Sequence, residues 1–120
     1  MLAEDNDLNA EIAKMLLEDA GVIVTVVGDG QQAVSLFREK PAGTFDVILM
    51  DIMMPVMDGL TATKTIRALD RPDARTIPII AMTANAFEED AKKCLAAGMN
   101  AHLAKPLDIG KLLSLIHISE

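Results

Sequence analysis

Short apolar runs alternate with segments of helical spacing along the whole chain, and this alternation limits the fold more than any other feature. Strands are predicted, after a first strand that ends at Glu4 and Asp5, over residues 22–27, 47–51, 77–83 and 101–104. Helices are predicted over 8–20, 31–40, 61–69 and 88–97, with a last one carrying Leu112, Leu113 and Ile116. Strands that are apolar on both faces and alternate with amphipathic helices indicate a parallel sheet covered on both sides. The sequence therefore predicts an α/β fold with a five-stranded, doubly wound, flavodoxin-like sheet.

Composition excludes several classes of function. The formal charge of −7 over 120 residues argues against binding to nucleic-acid phosphates. No apolar run approaches the ~20 residues that a membrane span needs, so no membrane contact is expected. Cys94 is the single cysteine, which excludes an internal disulfide and a multi-cysteine zinc site and fits a cytoplasmic location.

Polar residues fall where the predicted strands end. Glu4 and Asp5 end the first strand, Asp51 the third and Thr83 the fourth, and Lys105 follows the fifth. Because parallel strands end at one edge of a sheet, these side chains should gather there. Clustered carboxylates repel one another, and Mg²⁺ removes that repulsion. A lysine and a hydroxyl beside the metal indicate an anionic guest, of which a phosphoryl group is the simplest.

This arrangement predicts phosphoryl transfer to a carboxylate. Asp51 ends the most apolar strand and is the candidate nucleophile, which would form an aspartyl-phosphate. Glu4 and Asp5 would hold Mg²⁺, Lys105 would neutralise the phosphoryl charge, and Thr83 would hydrogen-bond a phosphoryl oxygen. Each of these residues alone is more often an ordinary loop, strand or surface residue, so the prediction depends on the set.

Four stretches give the chain a resemblance to a known family. They are "AEDN" at 3–6, "DVILMDIMMPVMDG" at 46–59, "MTAN" at 82–85 and "LAKP" at 103–106. With this spacing the sequence resembles the response-regulator receiver domains of two-component signalling over essentially its whole length. "MTAN" and "CLAAGMNAHLAKPL" look most like the receivers of hybrid histidine kinases.

The resemblance implies a phosphorelay function. Asp51 would accept a phosphoryl group from a phosphohistidine on a histidine kinase or a histidine phosphotransfer domain. The Mg²⁺ would be held by Glu4, Asp5, Asp51 and the backbone carbonyl of Met53. The resemblance also implies a cis peptide bond between Lys105 and Pro106, which the Lys-Pro dipeptide permits.

A conformational switch is implied as well. In such domains the threonine hydroxyl moves inward on phosphorylation and an aromatic residue on the last strand repacks. Here these positions hold Thr83 and His102, and the affected surface surrounds the fourth predicted helix (88–97), the last strand and the last helix. His102 stands where the family usually has Tyr or Phe, and its imidazole could make the switch sensitive to pH. The alternative is that His102 is a half-exposed strand residue without a special role.

Two other functions are open to a chain of this kind. An aspartate-nucleophile phosphohydrolase usually carries an acidic general acid two residues after the nucleophile, where this chain has Met53. A docking-only receiver usually lacks an acidic residue, the acceptor or the lysine, and this chain has all three.

We expect a single receiver domain over 1–120, not an enzyme with a separate substrate. The short first strand and the final "SLIHISE" lead us to expect a fragment with a clipped first strand and an atypical C-terminal end.

Overall fold

The computed structural model describes residues 1–83, 88–104 and 110–112. Five parallel strands form one sheet in the order β2-β1-β3-β4-β5. The strands are β1 (Leu2–Ala3), β2 (Val26–Val27), β3 (Ile48–Asp51), β4 (Ile79–Thr83) and β5 (Ala101–Ala104). The three longest strands are the apolar runs that sequence analysis predicts. The α/β fold with a five-stranded doubly wound sheet is confirmed.

Helices connect the strands and begin at short polar caps. They are α1 (Asp7–Asp19), α2 (Gly30–Glu39), α3 (Gly59–Arg67), α4 (Pro72–Thr76) and α5 (Glu88–Ala97). Asn6, Asp29 and Asp58 precede α1, α2 and α3, and each side chain accepts a backbone N–H from three residues later. These bonds satisfy amide groups that the first helical turn leaves without partners. Within the described residues, no helix is long and apolar enough to span a membrane.

The sheet separates two apolar cores because successive side chains of a strand point to opposite faces. On one face Ile48 and Met50 of β3 pack with Phe37 of α2 and Ile66 of α3. On the other face Leu49 packs in a second cluster with residues of α1 and with the buried Leu112. Burial on both faces holds the strand ends, and the side chains that follow them, in fixed positions.

One helix packs with a face that the sequence pattern does not indicate. In the sequence, Leu8, Ile12, Leu16 and Ala20 recur at helical spacing and so predict the buried face of α1, but all four side chains are exposed and Leu8 keeps 64% of its surface accessible. Ala10, Ala13 and Leu17 form the buried face instead. Leu8, Ile12, Met15 and Leu16 of α1 therefore form an exposed stripe.

Two local predictions also need correction. Sequence analysis predicts no helix between residue 69 and the strand at 77, but the short helix α4 (Pro72–Thr76) forms there with its proline in the first turn. The second strand was expected over 22–27, but only Val26 and Val27 pair, because β1 offers only Leu2 and Ala3. In the last predicted helix, 110–112 are helical, whereas Leu113 and Ile116 lie outside the described residues.

Candidate functional site

The polar residues predicted to meet at the sheet edge come from three neighbouring strands. Glu4 follows β1 and its N–H donates to Val27 O at 3.1 Å, which extends the β1–β2 ladder by one bond. Asp51 ends β3 opposite Met82 of β4, and Thr83 is the next residue of β4. Since β1, β3 and β4 are adjacent and parallel, their carboxyl ends bring these side chains together.

Three carboxylates form a tight acidic cluster at this edge. Glu4, Asp5 and Asp51 each offer an oxygen, and these oxygens lie within 4.8 Å of one another. Asp5 is exposed, whereas Glu4 and Asp51 each keep only 4% of their surface accessible. Carboxylate oxygens so close together, one of them reached by solvent, suit a hydrated divalent cation such as Mg²⁺.

Backbone amides hold the two buried carboxylates. Asn6 N–H donates to Glu4 Oε1 and Met53 N–H donates to Asp51 Oδ1, each at 3.3 Å. Both donors lie two residues after the carboxylate that they contact, so each acid is held by its own turn. The turn after Asp51 also places the Met53 backbone beside the cluster.

Thr83 contributes a buried hydroxyl. The residue is only 5% exposed, and Oγ1 has no hydrogen-bond partner in the part of the chain that the structure describes. A buried polar atom without a partner costs free energy, and such atoms are rare in folded proteins. The hydroxyl is therefore available to a group that enters the site.

The loop after Asp51 is fixed at both ends by glycines. Gly59 N–H donates to Ile52 O at 2.9 Å, and Gly30 N–H donates to Met57 O at 2.9 Å. A Cβ on Gly59 would collide with the backbone oxygen of Asp51, and one on Gly30 would collide with Met57 O. Both close approaches require glycine. The loop borders an open cleft lined by Asp5, Ile52, Met53, Met54, Pro55 and Asp58.

The other predicted site residues are distributed as follows. Lys105 and Pro106 lie outside the described residues. His102 is half-buried in β5 opposite Ala81. Sequence reasoning missed two residues of the loop that follows Asp51. Asp58 caps α3, which its position before a helix could have indicated, whereas nothing in the sequence indicates the unusual backbone of Val56.

Comparison with known proteins gives the family. The family model described as "Response regulator receiver domain" matches residues 1–117. The chain belongs to this family. The receiver-domain resemblance, drawn from the motifs around Asp51, Thr83 and Lys105, is thus confirmed.

Curated relatives of this receiver domain include hybrid histidine kinases. Hybrid signal transduction histidine kinase I of Dictyostelium discoideum is 38% identical over 119 residues, a match that covers 98% of this chain and 7% of that kinase. The signal transduction histidine-protein kinase BarA of Shigella flexneri is 41% identical, with 97% of this chain and 12% of that protein covered. The receiver domain thus spans about a tenth or less of the length of these relatives.

Solved structures match the fold. The receiver domain of a sensor histidine kinase of Pseudomonas aeruginosa, solved with magnesium coordinated in its active-site cleft, is 43% identical with a TM-score of 0.85. That match covers 98% of this chain and 92% of the other. A receiver domain of Saccharomyces cerevisiae, crystallised with the histidine phosphotransfer protein upstream of it, is 28% identical with a TM-score of 0.81. The match covers 96% of this chain and 83% of that one.

Proposed function

We propose that this receiver domain takes a phosphoryl group onto Asp51 from a phosphohistidine of a partner protein. The acidic cluster of Glu4, Asp5 and Asp51 at the sheet edge carries the proposal. An Asp51 carboxylate oxygen attacks phosphorus, the P–O bond forms, and the P–N bond of the phosphohistidine breaks. The electron pair of that bond stays on the departing imidazole nitrogen, which takes up a proton.

The cluster is proposed to bind Mg²⁺ through Glu4, Asp5, Asp51 and the backbone carbonyl of Met53. When bound, the ion supplies positive charge that offsets the carboxylates and the phosphoryl oxygens. A backbone amide of the chain orients the acceptor. Asp51 is held by the Met53 N–H at 3.3 Å, so one of its oxygens keeps a fixed direction.

Two further residues are assigned to the phosphoryl group. The Thr83 hydroxyl, buried and without a partner in the described chain, donates to a phosphoryl oxygen. Lys105 neutralises phosphoryl charge, and the peptide bond between Lys105 and Pro106 is cis; both proposals follow from the family resemblance. Bound oxygens would give the Thr83 hydroxyl the partner that it lacks.

Phosphorylation is proposed to switch the surface around α5, β5 and the last helix. Movement of the Thr83 hydroxyl toward the phosphoryl group leaves space that His102 can occupy. His102 is half-buried on β5 opposite Ala81, which lies two residues before Thr83 on β4, so His102 and Thr83 belong to the same face of the sheet. Ring chemical shifts of His102 that do not change on phosphorylation would contradict this role.

The phosphohistidine partner is proposed to be a histidine kinase or a histidine phosphotransfer domain that docks on α1. Leu8, Ile12, Met15 and Leu16 form an exposed apolar stripe along this helix. Leu8 comes three residues after Asp5, so the stripe starts at the edge of the acidic cluster and is continuous with the site. A partner that delivers its histidine to Asp51 covers this stripe, which would otherwise expose apolar surface to water.

The domain is a signalling module that promotes its own phosphorylation and a slow loss of the phosphoryl group to water. We place it in the cytoplasm, where the single thiol of Cys94 stays reduced. The direct test uses the phosphorylated histidine phosphotransfer protein of S. cerevisiae, labelled on phosphorus, as donor. Label should move to the chain in the presence of Mg²⁺ and remain on the donor when the acceptor is Asp51→Asn. Label that moves equally to the Asn variant would overturn the proposal.

A further inference from the structure

The eight methionines of the chain differ widely in their exposure to solvent. Met53 keeps 80% of its surface accessible, and Met15 on α1 keeps 62%. The others are buried or half-buried, namely Met1, Met50, Met54, Met57, Met82 and Met99. Cys94, the other sulfur-containing side chain, is buried as well. Because an oxidant must reach the sulfur atom, the Met53 thioether is the most accessible target for oxidation.

The fold can accept a polar group at Met53 more easily than at the neighbouring methionines. Met54 and Met57 pack against the core that contains α2 and α3, where a sulfoxide would bring a polar oxygen into apolar contacts. Within the described residues, Met53 is part of neither apolar core. Its loop is also anchored, since Gly59 N–H donates to Ile52 O at 2.9 Å. Oxidation of Met53 should therefore leave the fold intact.

Met53 lies beside the acidic cluster. Its N–H donates to Asp51 Oδ1 at 3.3 Å, and Met53 lines the same open cleft as Asp5. Magnesium usually keeps several of its water ligands, and these waters donate hydrogen bonds to acceptors around the ion. The sulfur of a thioether is a weak acceptor, whereas oxidation adds a polar oxygen to it. Oxidation of Met53 would therefore place a new acceptor in the cleft where hydrated Mg²⁺ is proposed to bind.

We propose that Met53 is a modification site for hydroperoxides and that its sulfoxide strengthens the binding of Mg²⁺ to the acidic cluster. The inference rests on the proposed function, because it requires Mg²⁺ at Glu4, Asp5 and Asp51. It adds control by oxidation to that site. The sulfoxide oxygen accepts a hydrogen bond from a water ligand of the ion, so the oxidised domain holds Mg²⁺ more tightly.

The oxidation consumes one molecule of hydrogen peroxide. Met53 Sδ donates an electron pair to one peroxide oxygen, so that an S–O bond forms while the O–O bond breaks. The departing oxygen takes the proton of the transferred oxygen and leaves as water. The sulfur is oxidised by two electrons and the peroxide is reduced by two. Methionine sulfoxide reductases reverse such a modification, which makes it suitable for control.

The test uses two variants that each keep one of the exposed methionines. Met15→Leu leaves Met53 as the exposed thioether, and Met53→Leu leaves Met15. Each chain is treated briefly with hydrogen peroxide, and peptide masses locate the added oxygen. The dissociation constant of Mg²⁺ is then measured from the amide chemical shifts of Asn6 and residue 53. Treatment should lower it about threefold in Met15→Leu, and should not change it in Met53→Leu.

A third variant imitates the sulfoxide without peroxide. Met53→Gln carries an amide oxygen on a side chain of similar length, so it should bind Mg²⁺ about threefold more tightly than Met53→Leu. The urea midpoint of Met15→Leu, measured without Mg²⁺, should be the same before and after treatment, because Met53 lies outside the apolar cores.

The outcomes separate this inference from the proposed function. An unchanged dissociation constant after oxidation of Met53, or an equal change in Met53→Leu, overturns the control by oxidation and leaves the Mg²⁺ site intact. Oxidation of a buried methionine before Met53 also overturns it alone. If the untreated chain does not bind Mg²⁺ at all, the proposed metal site fails and this inference fails with it.

Discussion

The hydroxyl of Thr83 is expected to lower the stability of the ligand-free domain. Replacing Thr83 with valine removes a buried polar atom that has no partner in the described chain, so Thr83→Val should raise the free energy of unfolding by about 1 kcal/mol. The same change should slow phosphorylation by acetyl phosphate, because a phosphoryl oxygen loses a donor. Urea unfolding and intact mass measure the two effects.

Thr63 provides the matched control for Thr83. Thr63 is fully buried on α3, but its hydroxyl donates to Gly59 O at 2.8 Å. Thr63→Val should therefore lower the free energy of unfolding by about 1 kcal/mol, opposite in sign to Thr83→Val. If both variants lose stability equally, the Thr83 hydroxyl has a partner in the folded chain and our account of it is wrong.

Gly59 is needed for the close approach of α3 to the acceptor strand. A methyl group there would meet the Asp51 backbone oxygen and would lie 2.9 Å from Met50 Cγ. We expect Gly59→Ala to destabilise the fold by about 2 kcal/mol, because backbone cannot move aside as a flexible side chain does. Gly28→Ala is the comparison, since its nearest neighbour would be Gln32 Oε1 at an ordinary 3.6 Å. Equal urea midpoints for the two variants would contradict this explanation.

The acidic cluster was predictable from the sequence, whereas the backbone conformation of the loop after Asp51 was not. Glu4, Asp5 and Asp51 follow apolar runs, and parallel strand ends share an edge, so pattern and topology together place them. Val56 gives no such signal, because valine favours extended backbone and its left-handed turn results from the anchoring of the loop around it.

Arg71 connects α4 to α2. Its guanidinium lies 4.7 Å from the centre of the Phe37 ring, and Nη1 donates to Phe37 O at 2.7 Å and Lys40 O at 2.9 Å. These carbonyls lie at the end of α2, where helices leave acceptors without partners. Arg71→Ala should lower the free energy of unfolding by about 2 kcal/mol, since cap bonds and ring contact are lost together.

A variant of Asp73 distinguishes the ion pair of Arg71 from the bonds that Arg71 makes to the end of α2. The Asp73 carboxylate accepts from Arg71 Nε and Nη2, and the hydrogen bond from Arg71 holds the pKa of Asp73 below its usual value. Asp73→Asn removes this ion pair but leaves the bonds to α2, so it should cost much less than Arg71→Ala. Equal losses would show that the ion pair, not the helix cap, connects α4 to α2.

Helices and strands were predicted well where the buried residues are the ones that recur periodically in the sequence. They were predicted poorly where other residues are buried. The bounds of α5 and β5 match the prediction, and the buried Cys94 and Ala97 of α5 are three positions apart, as helical spacing requires. In α1 Leu8, Ile12 and Leu16 are exposed, whereas two alanines and Leu17 form the buried face. When a helix keeps its larger apolar residues exposed, the apolar spacing in its sequence indicates the solvent-facing side and not the buried side.

The buried amino group of Met1 makes the stability of the folded domain depend on pH when that group is free. Met1 N donates to Val47 O at 3.0 Å, and burial lowers its pKa from 8.0 to about 6. As the pH falls from 8 to 6, the amino group of the unfolded chain takes up a proton, whereas that of the folded chain stays largely neutral because its pKa is lower. The free energy of unfolding therefore falls. The loss should approach roughly 2 kcal/mol below pH 6.

Urea midpoints measured at pH 8 and pH 6 test this dependence. Acetylation of the amino group provides the control, because an amide does not titrate in this range. The acetylated chain should lose the part of the pH dependence that Met1 contributes. An unchanged difference between the two midpoints after acetylation would assign the effect to other groups.

The order of the strands in the sheet explains how the residues of the proposed site come together. The strand order β2-β1-β3-β4-β5 puts β3 between β1 and β4, so the acceptor lies between the acidic pair and the threonine. Apolar cores on both faces keep these strand ends from shifting. The Met53 N–H compensates in part for the burial of Asp51, and in our proposal Mg²⁺ and the phosphoryl group supply the rest.

The intact mass of the chain after incubation with acetyl phosphate tests the central claim most directly. With Mg²⁺ present, we expect a single added phosphoryl group on the wild-type chain and none on Asp51→Asn. Omission of Mg²⁺ should abolish the addition, because the acidic cluster then lacks the charge that offsets it. A folded wild-type chain that gains no phosphoryl mass, and that also fails to bind beryllofluoride, would contradict the account and favour a docking-only receiver.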